Sequence, residues 1–160
     1  MRYLEGGCSC GAVRFTLEGA LWVAACHCSA CKKRTGSAFG ISIVVDDRMV
    51  VAATGATRTF IRTGESGKAV HYEFCPECGT TVRWRVELIG NRYVYAAGTL
   101  DDPFAIEVVA EMYTAQALPG ARFGCELTRE GAPDDAFRKA VTEKTRVSRP
   151  LQSESVLARV

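Results

Sequence analysis

Alternation of apolar and polar residues is the main pattern along this chain. It is clearest at residues 13–17 and 82–86, where every second residue is apolar. A period of two is typical of a half-buried β-strand. Five more segments bounded by turn residues are predicted to be strands: 38–45, 58–63, 68–74, 92–97 and 106–113. The chain is therefore predicted to be mainly β.

A helical period appears only near the C-terminus. The residues that fall on one helical face there are Ala136, Phe137, Ala140 and Val141. The preceding Pro133-Asp134-Asp135 is typical of a helix start. Residues 144–160 are largely polar and are predicted to form a tail or loosely docked extension.

Length and composition indicate one globular domain, because 160 residues can bury a sizeable core. A formal net charge of +2 gives no reason to expect a nucleic acid or a membrane as partner. The longest apolar run, residues 20–26, is too short to cross a membrane, and the N-terminus has no signal-peptide pattern. We therefore expect a cytoplasmic protein, and its oligomeric state stays open.

The chain has eight cysteines, which in a cytoplasmic protein favour metal binding or catalysis over disulfides. In Cys75-Pro-Glu-Cys78-Gly79, a tight turn brings two thiolates onto one metal. Gly7-Cys8-Ser-Cys10-Gly11 offers a second pair. Together the pairs would complete a four-cysteine structural zinc site, with an apparent binding free energy on the order of 10 to 16 kcal/mol.

Three further cysteines lie within six residues that are predicted to form one loop: Cys26, Cys28 and Cys31. A zinc ion with three protein ligands keeps an open position, which is typical of catalytic sites. Spacing alone leaves two alternatives open. Cys75 and Cys78 could instead join two members of this triplet, or the triplet could be a second structural site completed by Cys125 or a histidine.

Four motifs occur in order over residues 6–113: GGCSCGAVRF, ACHCSACKKRTGSAF, FCPECGTTV and AAGTLDDP. In this combination the chain resembles the glutathione-dependent formaldehyde-activating enzyme family, whose animal relatives include centromere protein V. The resemblance implies a mainly β, zinc-binding fold related to methionine sulfoxide reductase B. We therefore expect a domain of this type over residues 1–131, followed by the short C-terminal helix and tail over residues 132–160.

The resemblance further implies two zinc ions per chain. The structural ion would be held by Cys8, Cys10, Cys75 and Cys78. The second ion, with an open position, would be held by the catalytic residues Cys26, Cys28 and Cys31. The implied activity is that of a carbon–sulfur lyase or synthase, which forms S-hydroxymethylglutathione from glutathione, or another small thiol, and formaldehyde or another small aldehyde.

Charge gives the residues after the triplet an expected role. Three protein thiolates bring a zinc centre to a formal charge of −1, and a substrate thiolate would bring it to −2. We expect the neighbouring cations to offset this charge and to bind the carboxylates of glutathione: Lys32, Lys33 and Arg34. Arg34 is expected to make a bidentate contact.

Two other functions stay open on the sequence alone. In one, the protein is a non-catalytic zinc-binding module. In the other, it is a thiol-redox enzyme with a reactive Cys125, although an isolated cysteine is more often a buried core thiol.

Two further features concern the surroundings of the triplet. Alternation turns His27 away from its flanking cysteines, so we predict a packing or hydrogen-bonding role for it. Residues 111–120 lack the tryptophan common in the family, which leaves one wall of the pocket undefined.

Overall fold

The computed structural model describes residues 3–147. Within them, eleven strands alternate with two α-helices and short 3-10 turns. The strands are β1 (Tyr3–Gly7), β2 (Arg14–Glu18), β3 (Trp22–Cys26), β4 (Gly40–Asp46), β5 (Val50–Thr54), β6 (Arg58–Thr63), β7 (Ala69–Phe74), β8 (Thr81–Val86), β9 (Arg92–Ala96), β10 (Ala110–Met112) and β11 (Leu127–Arg129). The helices are α1 (Ser29–Thr35) and α2 (Asp135–Lys144). The prediction of a mainly β chain with a short C-terminal helix is confirmed.

The strands form two sheets. The larger has eight strands in the order β11-β10-β3-β4-β9-β8-β7-β6, and the smaller has three in the order β1-β2-β5. Neighbours are antiparallel except that β10 runs parallel to both β3 and β11. One core cluster joins residues of both sheets, including the fully buried Leu17, Ile43 and Tyr95.

The opposite face of the large sheet carries the second core cluster. Cys26 pairs with Gly40, while Trp84 pairs with both Tyr72 and Val94. Because directly paired residues share a face and every second residue of a strand returns to it, Cys26, Trp84 and Tyr72 all point to the same side. Helices α1 and α2 also lie against this side.

Four strands were not predicted, namely β1, β3, β5 and β11, and one predicted strand is shorter than expected. The segment 106–113 forms a strand only at Ala110–Met112, and Ile106 makes an isolated bridge to Val147. Strand β3 was missed because all five of its residues are buried, so they show no alternation. A strand covered on both faces has no polar side to mark it.

The prediction of a loop for residues 26–31 was wrong at both ends, because Cys26 ends strand β3 and a helix begins at Ser29. Residues Ser29–Thr35 form helix α1, which ends at Gly36 in the left-handed conformation, with φ 62°. A helix of seven residues with no buried side chain of its own has too little apolar periodicity to be recognised.

Helix α2 begins as predicted. The Asp134 carboxylate accepts a hydrogen bond from the Phe137 N–H at 2.8 Å, and Val141 is fully buried against the large sheet. After the helix, Thr145 is buried and its hydroxyl accepts a hydrogen bond from the Val23 N–H at 3.2 Å. The start of the predicted tail is therefore held against strand β3. Residues 148–160 of that tail lie outside the described residues. The domain boundary at residue 131 stays a prediction. Between residues 3 and 147, no helix is long and apolar enough to span a membrane.

Candidate functional site

The first cysteine cluster joins residues from distant parts of the chain. The sulfur atoms of Cys8, Cys10, Cys75 and Cys78 all lie within 4.8 Å of one another. The Cys8 and Cys10 sulfurs are 3.5 Å apart, and those of Cys10 and Cys75 are 3.7 Å apart. A tetrahedron with Zn–S bonds of about 2.3 Å has sulfur separations of about 3.8 Å. This cluster therefore fits a zinc ion.

Two linked loops hold the first cluster. In the turn between β7 and β8, the Cys75 N–H donates to the Thr80 carbonyl at 3.0 Å, and the Gly79 N–H donates to the Cys75 carbonyl at 2.9 Å. The hydroxyls of Ser9 and Thr80 are 3.0 Å apart and join this turn to the loop after β1. Hydrogen bonds from the hydroxyl and the N–H of Thr80 lower the pKa of Cys78 to about 5. A thiol already inclined to ionise is a ready metal ligand.

The second cluster contains the triplet, whose three sulfurs also lie within 4.8 Å of one another: Cys26, Cys28 and Cys31. Cys26 ends strand β3, and Cys28 caps helix α1, where its sulfur accepts the Cys31 N–H at 3.4 Å. Within the described part of the chain, no further cysteine, histidine, aspartate or glutamate joins this group. The arrangement fits a metal held by three thiolates with one position open.

The three thiols of the triplet differ in how readily they ionise. Hydrogen bonds from the thiols of Cys26 and Cys31 hold the pKa of Cys28 far below its ordinary value. The same contacts, together with burial, raise the pKa of Cys26. A sulfur anion at Cys28 therefore needs positive charge nearby.

Of the three cations expected beside the triplet, Arg34 lies on the same side of the sheet. Its guanidinium carbon is 4.0 Å from the centre of the Trp84 ring, and its Nε and Nη2 atoms are buried with no hydrogen-bond partner among residues 3–147. A Cβ atom at Gly40 would lie 2.6 Å from Nη2, so a side chain at this position would force the guanidinium to move. Lys32 instead donates to the Gln116 carbonyl at 2.5 Å, and the side chain of Lys33 is exposed.

The sequence reasoning missed two residues near the triplet, Arg62 on β6 and Tyr72 on β7. The Arg62 Nε donates to the Tyr72 hydroxyl at 3.1 Å, and the rings of Tyr72 and Trp84 are 5.9 Å apart. Alternation located both strands, but only the register of the sheet places these side chains beside helix α1. No sequence motif signals this pairing.

His27 lies between two cysteines of the triplet but turns away from them. Its Nε2 donates to the Glu111 carboxylate at 3.0 Å, and both side chains are fully buried. Glu111 also accepts hydrogen bonds from the Arg122 guanidinium and from three consecutive backbone N–H groups, those of Phe123, Gly124 and Cys125. Burial alone would raise the pKa of Glu111, but these donors outweigh it and lower the pKa to about 2. Residues 111–120, which lack the family tryptophan, therefore begin with the buried carboxylate of Glu111.

Cys125 is separate from both clusters. Its thiol donates to the Val108 carbonyl at 3.4 Å, and burial, followed by the charge of Glu111, raises its pKa. A thiol in this state is a poor nucleophile.

A mainly β fold that gathers seven cysteines into two clusters able to hold metal ions defines the class of this protein. A sequence model described as glutathione-dependent formaldehyde-activating enzyme matches residues 3–116, and the chain belongs to this family. Its fold is similar to the crystal structure of a Rhodobacter sphaeroides protein, with a TM-score of 0.47 and 18% identity over 78% of this chain and 98% of that one. Among curated proteins, none matches the chain.

Proposed function

We propose that this protein is a zinc-dependent carbon–sulfur lyase or synthase that adds glutathione, or a related thiol, to formaldehyde or another small aldehyde. Family membership supports the substrate class. The observation that carries the proposal is the triplet Cys26, Cys28 and Cys31, since three convergent sulfurs with no fourth donor among the described residues suit a reactive metal site better than a structural one.

Each cluster has its own role in this proposal. Cys8, Cys10, Cys75 and Cys78 would hold a structural zinc, and Cys26, Cys28 and Cys31 would hold the reactive one. When bound there, zinc would supply the positive charge that lets a substrate thiol lose its proton near neutral pH.

The chain's own residues orient the thiol and balance its charge. Arg34 is held against Trp84 beside the sulfurs, where its buried donors can meet a carboxylate or offset thiolate charge. His27, tied to Glu111, fixes the backbone between two of the three ligands. Lys32 and Lys33 stay predicted substrate contacts, although the bond of Lys32 to the Gln116 carbonyl leaves it less free to act as one.

The reaction needs no oxidant or reductant. The thiol sulfur forms a bond to the aldehyde carbon as the carbonyl π bond breaks, and the thiol proton is transferred to the carbonyl oxygen. The reverse reaction cleaves the same carbon–sulfur bond and returns the proton to sulfur.

The experiment is to measure S-hydroxymethylglutathione formation by NMR exchange, with zinc-loaded wild-type protein and with its Cys28→Ser variant. The uncatalysed rate is subtracted from both. We expect acceleration by the wild type and a large loss in the variant. Equal rates for the two proteins, or no acceleration by either, would refute the proposal.

A further inference from the structure

Arg62 differs from most arginines of this protein because it is half buried yet has no acidic partner. Within residues 3–147, ion pairs hold six other arginines: Arg14, Arg48, Arg83, Arg122, Arg129 and Arg138. Neither Arg62 nor Arg34 forms an ion pair with a carboxylate of the described residues. A partly desolvated cation without a counter-charge is costly unless a ligand supplies one.

Hydrogen bonds fix the Arg62 guanidinium in place. Nε donates to the Tyr72 hydroxyl, and Nη1 donates to the Thr63 carbonyl, both at 3.1 Å. Nη2 has no acceptor within the described part of the chain. The group is therefore held in one orientation with donors to spare, which is the state that favours bidentate binding of an anion.

The position of Arg62 relates it to the cysteine triplet. Arg62 pairs with Val70 across strands β6 and β7, so its side chain points to the same face of the large sheet as Tyr72 and Trp84. On that face, Tyr72 and Trp84 belong to the same core cluster as the cysteines of the triplet, so Arg62 lies on the side of the sheet that carries the triplet. Its guanidinium carbon lies 5.6 Å from the centre of the Tyr72 ring.

We propose that Arg62 binds a carboxylate of the substrate thiol and makes the site selective for thiols with two carboxylates. This inference rests on the proposed function. Arg34 stacks on Trp84 and Arg62 lies over Tyr72, so the two guanidinium groups flank this aromatic pair. Glutathione carries one carboxylate on either side of its thiol. Two separated guanidinium groups beside a sulfur-binding centre match that distribution of charge.

The test measures binding, by calorimetry or competition NMR on the zinc-loaded protein, with glutathione and with its diethyl ester. Loss of a charge-assisted hydrogen bond corresponds to about a ten- to hundredfold change in affinity. We expect Arg62→Gln to weaken glutathione binding by this factor and to leave binding of the diester unchanged. Arg58→Gln is the matched control, because Arg58 lies on the same strand, is exposed and carries the same charge. It should bind both ligands as the wild type does.

Three results would overturn the inference. If Arg62→Gln binds glutathione within threefold of the wild type while wild-type binding depends on Cys28, only the role of Arg62 falls. The role of Arg62 also falls if Arg62→Gln weakens the binding of glutathione and of the diester equally. Thermal unfolding of each variant shows whether it is folded. If the wild type binds neither ligand, the proposed function and this inference both fall.

Discussion

Glu111 offers the sharpest test of how the site is built, through the substitution Glu111→Gln. The side chain is fully buried, and its two oxygens accept hydrogen bonds from His27, from Arg122 and from three backbone N–H groups. An amide keeps the shape of the carboxylate but loses its charge. It also places an NH2 group, which cannot accept a hydrogen bond, against donors that need an acceptor.

The pKa of Glu111 gives the size of the effect. These donors lower it from 4.5 to about 2, even though burial acts in the opposite direction. At about 1.36 kcal/mol per unit, the shift corresponds to roughly 3 kcal/mol of folding free energy. Because the folded pKa lies below the unfolded one, this contribution is complete above about pH 5 and is lost as the pH falls towards 2.

The assay is urea unfolding of the zinc-loaded protein at pH 7, repeated at lower pH. We expect Glu111→Gln to be less stable by about 3 kcal/mol at pH 7, or about 6 to 12 °C in Tm for a chain of this size. The difference from wild type should narrow below pH 5. Glu126→Gln is the control, because Glu126 is exposed and pairs only with Lys144 at the surface, where such pairs contribute about 0 to 1 kcal/mol. A loss under 1 kcal/mol for Glu111→Gln, or a difference that does not change with pH, would refute the reasoning.

Three further substitutions test other parts of the structure. Cys75→Ser should reduce the zinc content from two ions to one and strongly lower the Tm, since a structural zinc contributes on the order of 10 kcal/mol; two retained ions would contradict this. Cys125→Ser should leave the rate of S-hydroxymethylglutathione formation within about twofold of wild type, because burial raises the pKa of this thiol; loss of activity would instead favour redox chemistry. Gly40→Ala places a Cβ 2.6 Å from the Arg34 Nη2. It should weaken glutathione binding with little change in Tm, and unchanged binding would argue against a role for Arg34.

The sequence predicted strands well where one face is exposed and the other buried. Segments 13–17 and 82–86 coincide with β2 and β8 to within one residue, and the buried residues of these two strands alternate with more exposed ones. Strand β3 and helix α1 were missed for opposite reasons. All residues of β3 are buried, so the strand shows no alternation, whereas α1 is only seven residues long and has no buried residue to mark a helical face.

The site shows a similar limit. Both cysteine clusters follow from local motifs and the family resemblance, and the structure brings the same seven sulfurs together. The residues around them depend on long-range pairing instead. Tyr72 meets Trp84 through the register of β7 and β8, and Glu111 meets His27 across 84 positions of sequence. A single sequence contains no local signal for such contacts.

The two clusters lie on opposite faces of the large sheet, yet the first should influence the second. Cys75 and Cys78 occupy the turn that joins β7 to β8, and Cys75 is fully buried in the core between the sheets. These same two strands carry Tyr72 and Trp84 on the other face. A metal that fixes the turn therefore also fixes the register of the aromatic pair on which Arg34 and Arg62 lie. Loss of the first metal should weaken substrate binding at the second cluster even in molecules that remain folded.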